Sequence, residues 1–105
     1  MGEQTAKFSV GQLIQNRLFG YRGVIIDIDP EFHGSDDWYQ NVARSKPPKD
    51  RPWYHVLVDG QTHTTYVAER HLTEADNATP IHHPLVDELF YEFADGRYIR
   101  RLTQN

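Results

Sequence analysis

The chain opens with two runs of strand character. Val10, Gln12 and Ile14 recur at every second position, which predicts a strand over residues 10–17. Leu18-Phe19-Gly20-Tyr21-Arg22-Gly23 supplies turn signals, with Gly20 and Gly23 permitting a sharp bend or bulge. Residues 24–30 put Val24, Ile26 and Ile28 on one face of a second strand and Ile25, Asp27 and Asp29 on the other. β-Branched residues dominate this run, as a half-buried pleated surface favours. Pro30 lacks a ladder donor and ends it.

Residues 31–52 break the pattern with Gly34, Pro47, Pro48 and Pro52. Ser35, Asp36 and Asp37 can cap a short helix through Trp38, Tyr39 and Val42, which Pro47-Pro48 would stop. So long a segment without strand pattern predicts a functional or a mobile loop. Strand character resumes over residues 53–59 and again over 62–68, with Asp59-Gly60 as a hairpin signal between them. Glu69-Arg70-His71-Leu72 leads into a turn or a closing strand.

These runs predict a mostly β fold, a small SH3-like barrel of about five strands with one long loop. Closure would remove the exposed strand edges. Residues 73–84 read as a linker. In the tail, Val86, Leu89, Phe90 and Phe93 recur at i, i+3, i+4 and i+7, which predicts an amphipathic helix ending at Asp95-Gly96. A hairpin turning at the same dipeptide is the rival reading, and the helix is favoured. The expected organisation is a single domain over 1–105: barrel about 8–72, linker 73–84, C-terminal segment 85–105.

Composition narrows the function. At 38% hydrophobic residues the chain can build one modest core, so disorder throughout is not expected. The absence of cysteine excludes disulfides, thiolate metal sites and a Cys nucleophile, and suits a reducing compartment. Met1 to Ser9 holds no apolar run of the leader type, and no window approaches a membrane helix. A cytoplasmic protein without a membrane partner is expected. Net charge is −4, from 11 Lys+Arg against 15 Asp+Glu, which disfavours phosphate binding as a default. The charge is nevertheless segregated. Arg44, Lys46, Lys49 and Arg51 form one basic cluster and Arg97, Arg100 and Arg101 another, while Asp27, Asp29, Glu31, Asp36 and Asp37 form an acidic run.

The candidate chemistry is sparse. His55 and His63 fall on neighbouring strands and His82-His83 in the linker, without the short ligand spacings zinc favours, so no metal and no cofactor is expected. Ser9, Ser35 and Ser45 lack nucleophile-elbow glycines. Asp27 and Asp29, about 7 Å apart on one strand face, could form an acid/base pair but read more simply as solubilising charges. The chain is therefore expected not to be an enzyme. Trp38, Tyr39, Trp53 and Tyr54 flank the basic loop, where aromatics beside cations can stack on bases or anchor a protein contact. Packing is favoured for Trp53, whereas binding and packing are both open for Trp38. The candidate binding set is Trp38, Tyr39, Arg44, Lys46, Lys49, Arg51, Arg97, Arg100 and Arg101.

Val10-Gly11-Gln12, Gly20-Tyr21-Arg22-Gly23-Val24-Ile25, Asp27-Ile28-Asp29-Pro30, Pro52-Trp53-Tyr54-His55-Val56-Leu57 and Tyr66-Val67-Ala68-Glu69 together resemble the heat shock protein HspQ family, also called hemimethylated DNA-binding or YccV-like. The resemblance spans about residues 8–72. It implies an SH3-like barrel that self-associates, and two roles. One is a heat-shock factor that promotes degradation of damaged or selected proteins through a cytoplasmic Lon-type protease. The other is binding to hemimethylated duplex DNA with influence on replication initiation. The chain's overall acidity favours the first.

Overall fold

Two bulges and one three-residue turn determine how the strands assemble. The computed structural model describes residues 5–43 and 45–101. Its elements are β1 (Leu13–Asn16), β2 (Arg22–Asp29), α1 (Asp36–Asn41), β3 (Trp53–Val58), β4 (Thr64–Ala68), β5 (Leu72–Glu74), α2 (Val86–Leu89), β6 (Phe90–Ala94) and β7 (Arg97–Arg100). The first five strands form an antiparallel sheet in the order β4-β3-β2-β1-β5. β4 and β5 sit at opposite ends of that order, yet only the 3-10 turn Glu69–His71 separates them in the chain. The sheet must therefore curl back on itself, as in a small barrel. Closure was expected of this barrel, but among the described residues no ladder joins β4 to β5.

β1 is buried on both faces, which its short run of alternation did not announce. Leu13 meets Val24, Leu57, Ile81, Phe90 and Tyr98, between the sheet and the C-terminal hairpin. Ile14 meets Ile25, Tyr54, Val56, Val67 and Leu72 inside the curl. A third cluster, Tyr39, Ala43, Trp53 and Ala68, seats α1. In β2 the pairing runs Ile25↔Val56 and then Asp27↔His55, so Ile26 is an extra, bulged residue. The bulge reverses the facing beyond it. Val24 and Ile26 reach the first cluster, while Ile28 joins Ile25 in the second. The single face predicted for Val24, Ile26 and Ile28 is corrected accordingly. Gly23, expected to help form a bend, lies within β2 against Val56 and Leu57.

The tail is a hairpin. α2 is a single turn, after which β6 and β7 pair around Asp95 (φ 54°) and Gly96 (φ 78°), the doubly positive geometry of a tight hairpin turn. The rival hairpin reading therefore holds, and the favoured helix fails for an identifiable reason. Pairing passes from Phe90↔Arg100 to Glu92↔Ile99, so Tyr91 is bulged. That bulge lets Phe90 and Phe93, three residues apart, both pack on Tyr98, with ring centroids at 5.1 and 4.8 Å. Three-residue spacing on a bulged strand imitates one face of a helix.

Residues 73–84, expected as a linker, begin within β5 and are then held against the body. The Arg22 guanidinium donates to the carbonyls of Asn77, Thr79 and Pro80 at 2.8, 2.8 and 3.2 Å and pairs with Asp59 at 3.2 Å. Ile81 is buried, and its N–H donates to the Tyr98 hydroxyl at 3.0 Å. At Gly11 (φ +91°) the Tyr98 N–H donates to the Gly11 carbonyl at 2.8 Å, and a Cβ there would collide with the Tyr98 carbonyl. Glycine is thus required where the hairpin meets the start of the barrel.

Candidate functional site

The loop between β2 and β3 is folded onto the sheet. Ser35 caps α1, its Oγ accepting the Trp38 N–H at 3.1 Å, and Asp36 and Asp37 sit at the positive end of the helix. The helix ends at Asn41, well before the prolines expected to stop it. Lys46 closes the other end, its Nζ donating to the carbonyls of Gln40 at 2.6 Å and Tyr39 at 3.2 Å. The prolines have a different role. The Tyr39 hydroxyl donates to the Pro47 carbonyl at 2.6 Å and Trp53 Nε1 to the Pro48 carbonyl at 3.1 Å, pinning the loop's second half.

These contacts gather an aromatic cluster. The Phe32 ring lies 4.9 Å from Trp53, 5.3 Å from Tyr39 and 6.0 Å from Trp38, and Trp53 lies 5.2 Å from Tyr66. Trp53 is fully buried, as packing required, whereas Trp38 is only half-buried. Lys49 Nζ lies 4.5 Å from the Tyr39 ring centroid and pairs with Asp36 at 3.2 Å.

Beside this cluster an open groove of about 940 Å³ runs along the outer edge of β4. All five β4 residues line it, which places it at the strand's edge, since alternate side chains leave a strand on opposite faces. Half-buried Trp38 and Tyr66 contribute aromatic surface beside buried Trp53, and the far walls are the end of α1 and the β1–β2 turn. Leu18, Phe19 and Val42 on these walls are 50, 64 and 53% exposed. The β1–β2 turn is rigidly built. Buried Asn16 accepts the Leu18 and Phe19 N–H groups at 2.8 and 2.9 Å and donates to the Tyr21 hydroxyl, which bonds Thr65 Oγ1 at 2.8 Å. No Asp or Glu is among the described residues lining the groove, while Lys46, His55 and His71 are. Burial, then the nearby Arg70 and Arg17 charges, hold His71 below the ordinary histidine value.

At the upper end of β4 a polar network faces Asp29. Its carboxylate accepts the Tyr66 hydroxyl at 2.6 Å and meets His55 Nε2 at 3.2 Å, while the Tyr66 oxygen accepts the His33 N–H at 2.9 Å. Burial would raise the Asp29 pKa, but the hydrogen bonds from Tyr66 and His55 outweigh it and leave it below the ordinary aspartate value. Burial and the bond to Asp29 push the Tyr66 hydroxyl well above the usual tyrosine value. Asp27, Asp29 and His55 bring one ligand atom each within 4.8 Å of one another, a trio that the histidine spacings did not disclose. Two members of it are already engaged with one another.

The predicted binding residues do not converge. Trp38 and Lys46 line the groove, Tyr39 is on the buried face of α1, and Lys49 and Arg51 do not line it. Arg44 lies outside the described residues. Arg97 donates to Ser9 Oγ and to the Val10 carbonyl at 2.7 and 3.0 Å, and Arg101 Nε to the Asp87 carbonyl at 3.0 Å. With exposed Arg100 they belong to the hairpin segment over the first core cluster, and none of the three lines the groove. The exposed pair Leu18-Phe19 is what sequence reasoning missed. Two large apolar residues inside a turn were the available signal. Among known families, the model described as hemimethylated DNA-binding protein YccV like matches residues 6–97. The chain therefore belongs to the YccV-like (HspQ) hemimethylated DNA-binding protein family.

Proposed function

We propose that this chain is a non-enzymatic protein-binding factor that promotes degradation of damaged or selected proteins through a cytoplasmic Lon-type protease, using the β4 groove to engage protein. The groove's chemistry carries this reading: a chain with 15 acidic residues presents a groove of mixed apolar and polar lining, with aromatic side chains and no described carboxylate. Exposed Leu18, Phe19 and Val42 form the kind of apolar patch that marks protein contacts. Asp27, the other half of the candidate acid/base pair, accepts its neighbour Ile28's N–H at 2.9 Å, a structural contact that supports a binding role over an enzymatic one.

The second reading is DNA binding, favoured by the family's description. Its cations would be Lys46, Lys49, Arg51, Arg44, Arg97, Arg100 and Arg101, of which Lys46, Lys49, Arg51, Arg97 and Arg101 already hold contacts. One paired experiment separates the readings. Turnover of a protease client is measured with and without the chain, beside a salt series of binding to unmethylated and hemimethylated duplex DNA. Faster turnover, with DNA affinity weak or absent, is the expected result. Unchanged turnover, with a steep log–log fall in DNA affinity as salt rises, would replace the first reading by the second.

A further inference from the structure

The Glu69 N–H donates to the Pro52 carbonyl at 3.1 Å, just outside the pair Trp53↔Ala68. In an antiparallel ladder that bond makes Trp53↔Ala68 a non-hydrogen-bonded pair, so Tyr54↔Val67 and Val56↔Thr65 are the bonded ones. It follows that the backbone N–H and C=O groups of Thr64 and Tyr66 point away from β3, toward the groove. Among the described residues none hydrogen-bonds them. An edge of unpaired backbone groups beside an apolar floor is a template for a further strand.

We propose that the groove takes an extended peptide segment as an added strand on β4, with apolar side chains over the aromatic floor and an acidic side chain toward the Lys46–Arg70 end. Charge complementarity selects this occupant. No described carboxylate lines the groove, Lys46 does line it, and Arg70 Nη2 holds the lining Ser45 through its carbonyl at 2.8 Å. The walls match the strand mode as well. Leu18 and Phe19 stand on a turn fixed by Asn16, opposite β4, so the groove has one hydrogen-bonding side and one apolar side. This mode rests on the protein-binding reading above, and gives it the substrate class: an unfolded, extended stretch of a client with apolar residues and an acidic flank.

The test uses dye-labelled hexapeptides of alternating valine and threonine, carrying one terminal aspartate, titrated against the full chain by fluorescence anisotropy. N-methylation of one alternating set of peptide amides is expected to weaken binding at least tenfold, and of the other set hardly at all, because only one set faces β4. Replacing the aspartate by lysine is expected to weaken binding at least fivefold. Thr64→Pro removes an outward donor without touching the β3 ladder, and is expected to weaken the unmodified peptide while leaving the thermal midpoint nearly unchanged. Should Thr64→Pro unfold the chain, the two N-methylated peptides still decide the question on the unaltered protein. Equal binding of both N-methylated sets, no binding of any peptide, or sedimentation showing the edge occupied by a second copy that peptide does not displace would each overturn strand addition. If no peptide binds yet client turnover still rises, the strand mode fails and the protein-binding reading stands. If peptides bind as expected and turnover does not change, the strand mode stands and the proteolysis reading fails.

Discussion

Asp29 joins three segments through one carboxylate: β2 carries it, β4 supplies the Tyr66 hydroxyl, and β3 supplies His55. Its folded-state pKa lies below the unfolded value, so the ionised group contributes stability above about pH 4 that is lost as pH falls through the folded value. Asp29→Asn should therefore flatten the acid limb of stability against pH, read by urea unfolding between pH 6 and pH 3. An unchanged acid limb would show that this carboxylate gains nothing from its partners. Tyr66→Phe removes the bond to Asp29 and also strips the His33 N–H of its acceptor. A loss of about 1–3 kcal/mol is expected at neutral pH, less of it at pH 3, in the same measurement. Gly11 makes a sharper case. Alanine there meets both a positive φ and the Tyr98 carbonyl, so Gly11→Ala should cost about 2 kcal/mol or more by chemical denaturation. No comparable loss is expected at Gly20, whose positive φ is matched by open space around the missing Cβ.

At the scale of elements, the five strands of the sheet were largely legible, whereas the facing of residues in β2 and the hairpin of the tail were not. β3 and β4 lie almost where their β-rich runs on either side of Asp59-Gly60 placed them, and Ser35 caps α1 as its position before two aspartates implied. The bulges at Ile26 and Tyr91 are events in pairing, invisible to one strand read alone, because each is defined by the partner it slips against. At Tyr91 the slip converted a hairpin into a false helical period. The groove was less legible still. It depends on the curl of the sheet, the missing β4–β5 ladder and the docking of α1, none of which leaves a local mark. Lys46 and Trp38, which line the groove, were singled out because they belong to a segment of unusual composition, not because their place beside β4 could be seen. The hairpin's own contribution can be measured. Tyr98 is buried against Phe90 and Phe93 and holds Ile81 through its hydroxyl, so Tyr98→Ala should cost about 3–5 kcal/mol, and Tyr98→Phe only about 1 kcal/mol. Equal losses would mean that the hydroxyl, not the ring, ties residues 77–82 to the body.

Over the whole molecule, the proposed recognition surface shares Ala43, Trp53, Val67 and Ala68 with the core but adds walls that folding leaves exposed. Most of the buried hydrophobic side chains fall in three clusters, while Leu18, Phe19 and Val42 stand exposed beside the groove and pack into none of them. A surface that served only folding would have no need to hold Leu18 and Phe19 in water on a turn braced by Asn16 and Tyr21. Those exposed walls make the site testable without confusing it with the fold. Phe19 is 64% exposed, so Phe19→Asp removes little buried area and should change unfolding free energy by less than about 0.5 kcal/mol. The same change puts a carboxylate onto a groove lined by no described Asp or Glu, opposing the acidic, apolar segment it is proposed to hold. Peptide affinity and client turnover should fall together, at least tenfold in affinity, while duplex DNA binding, if measurable, falls no more than one added negative charge requires. The reversal Arg100→Glu makes the complementary change on β7, away from the groove, and should leave peptide affinity and turnover alone. If Phe19→Asp left peptide binding intact while Arg100→Glu abolished it, the recognition surface would lie on the hairpin and the groove would be only a gap in the curl of the sheet.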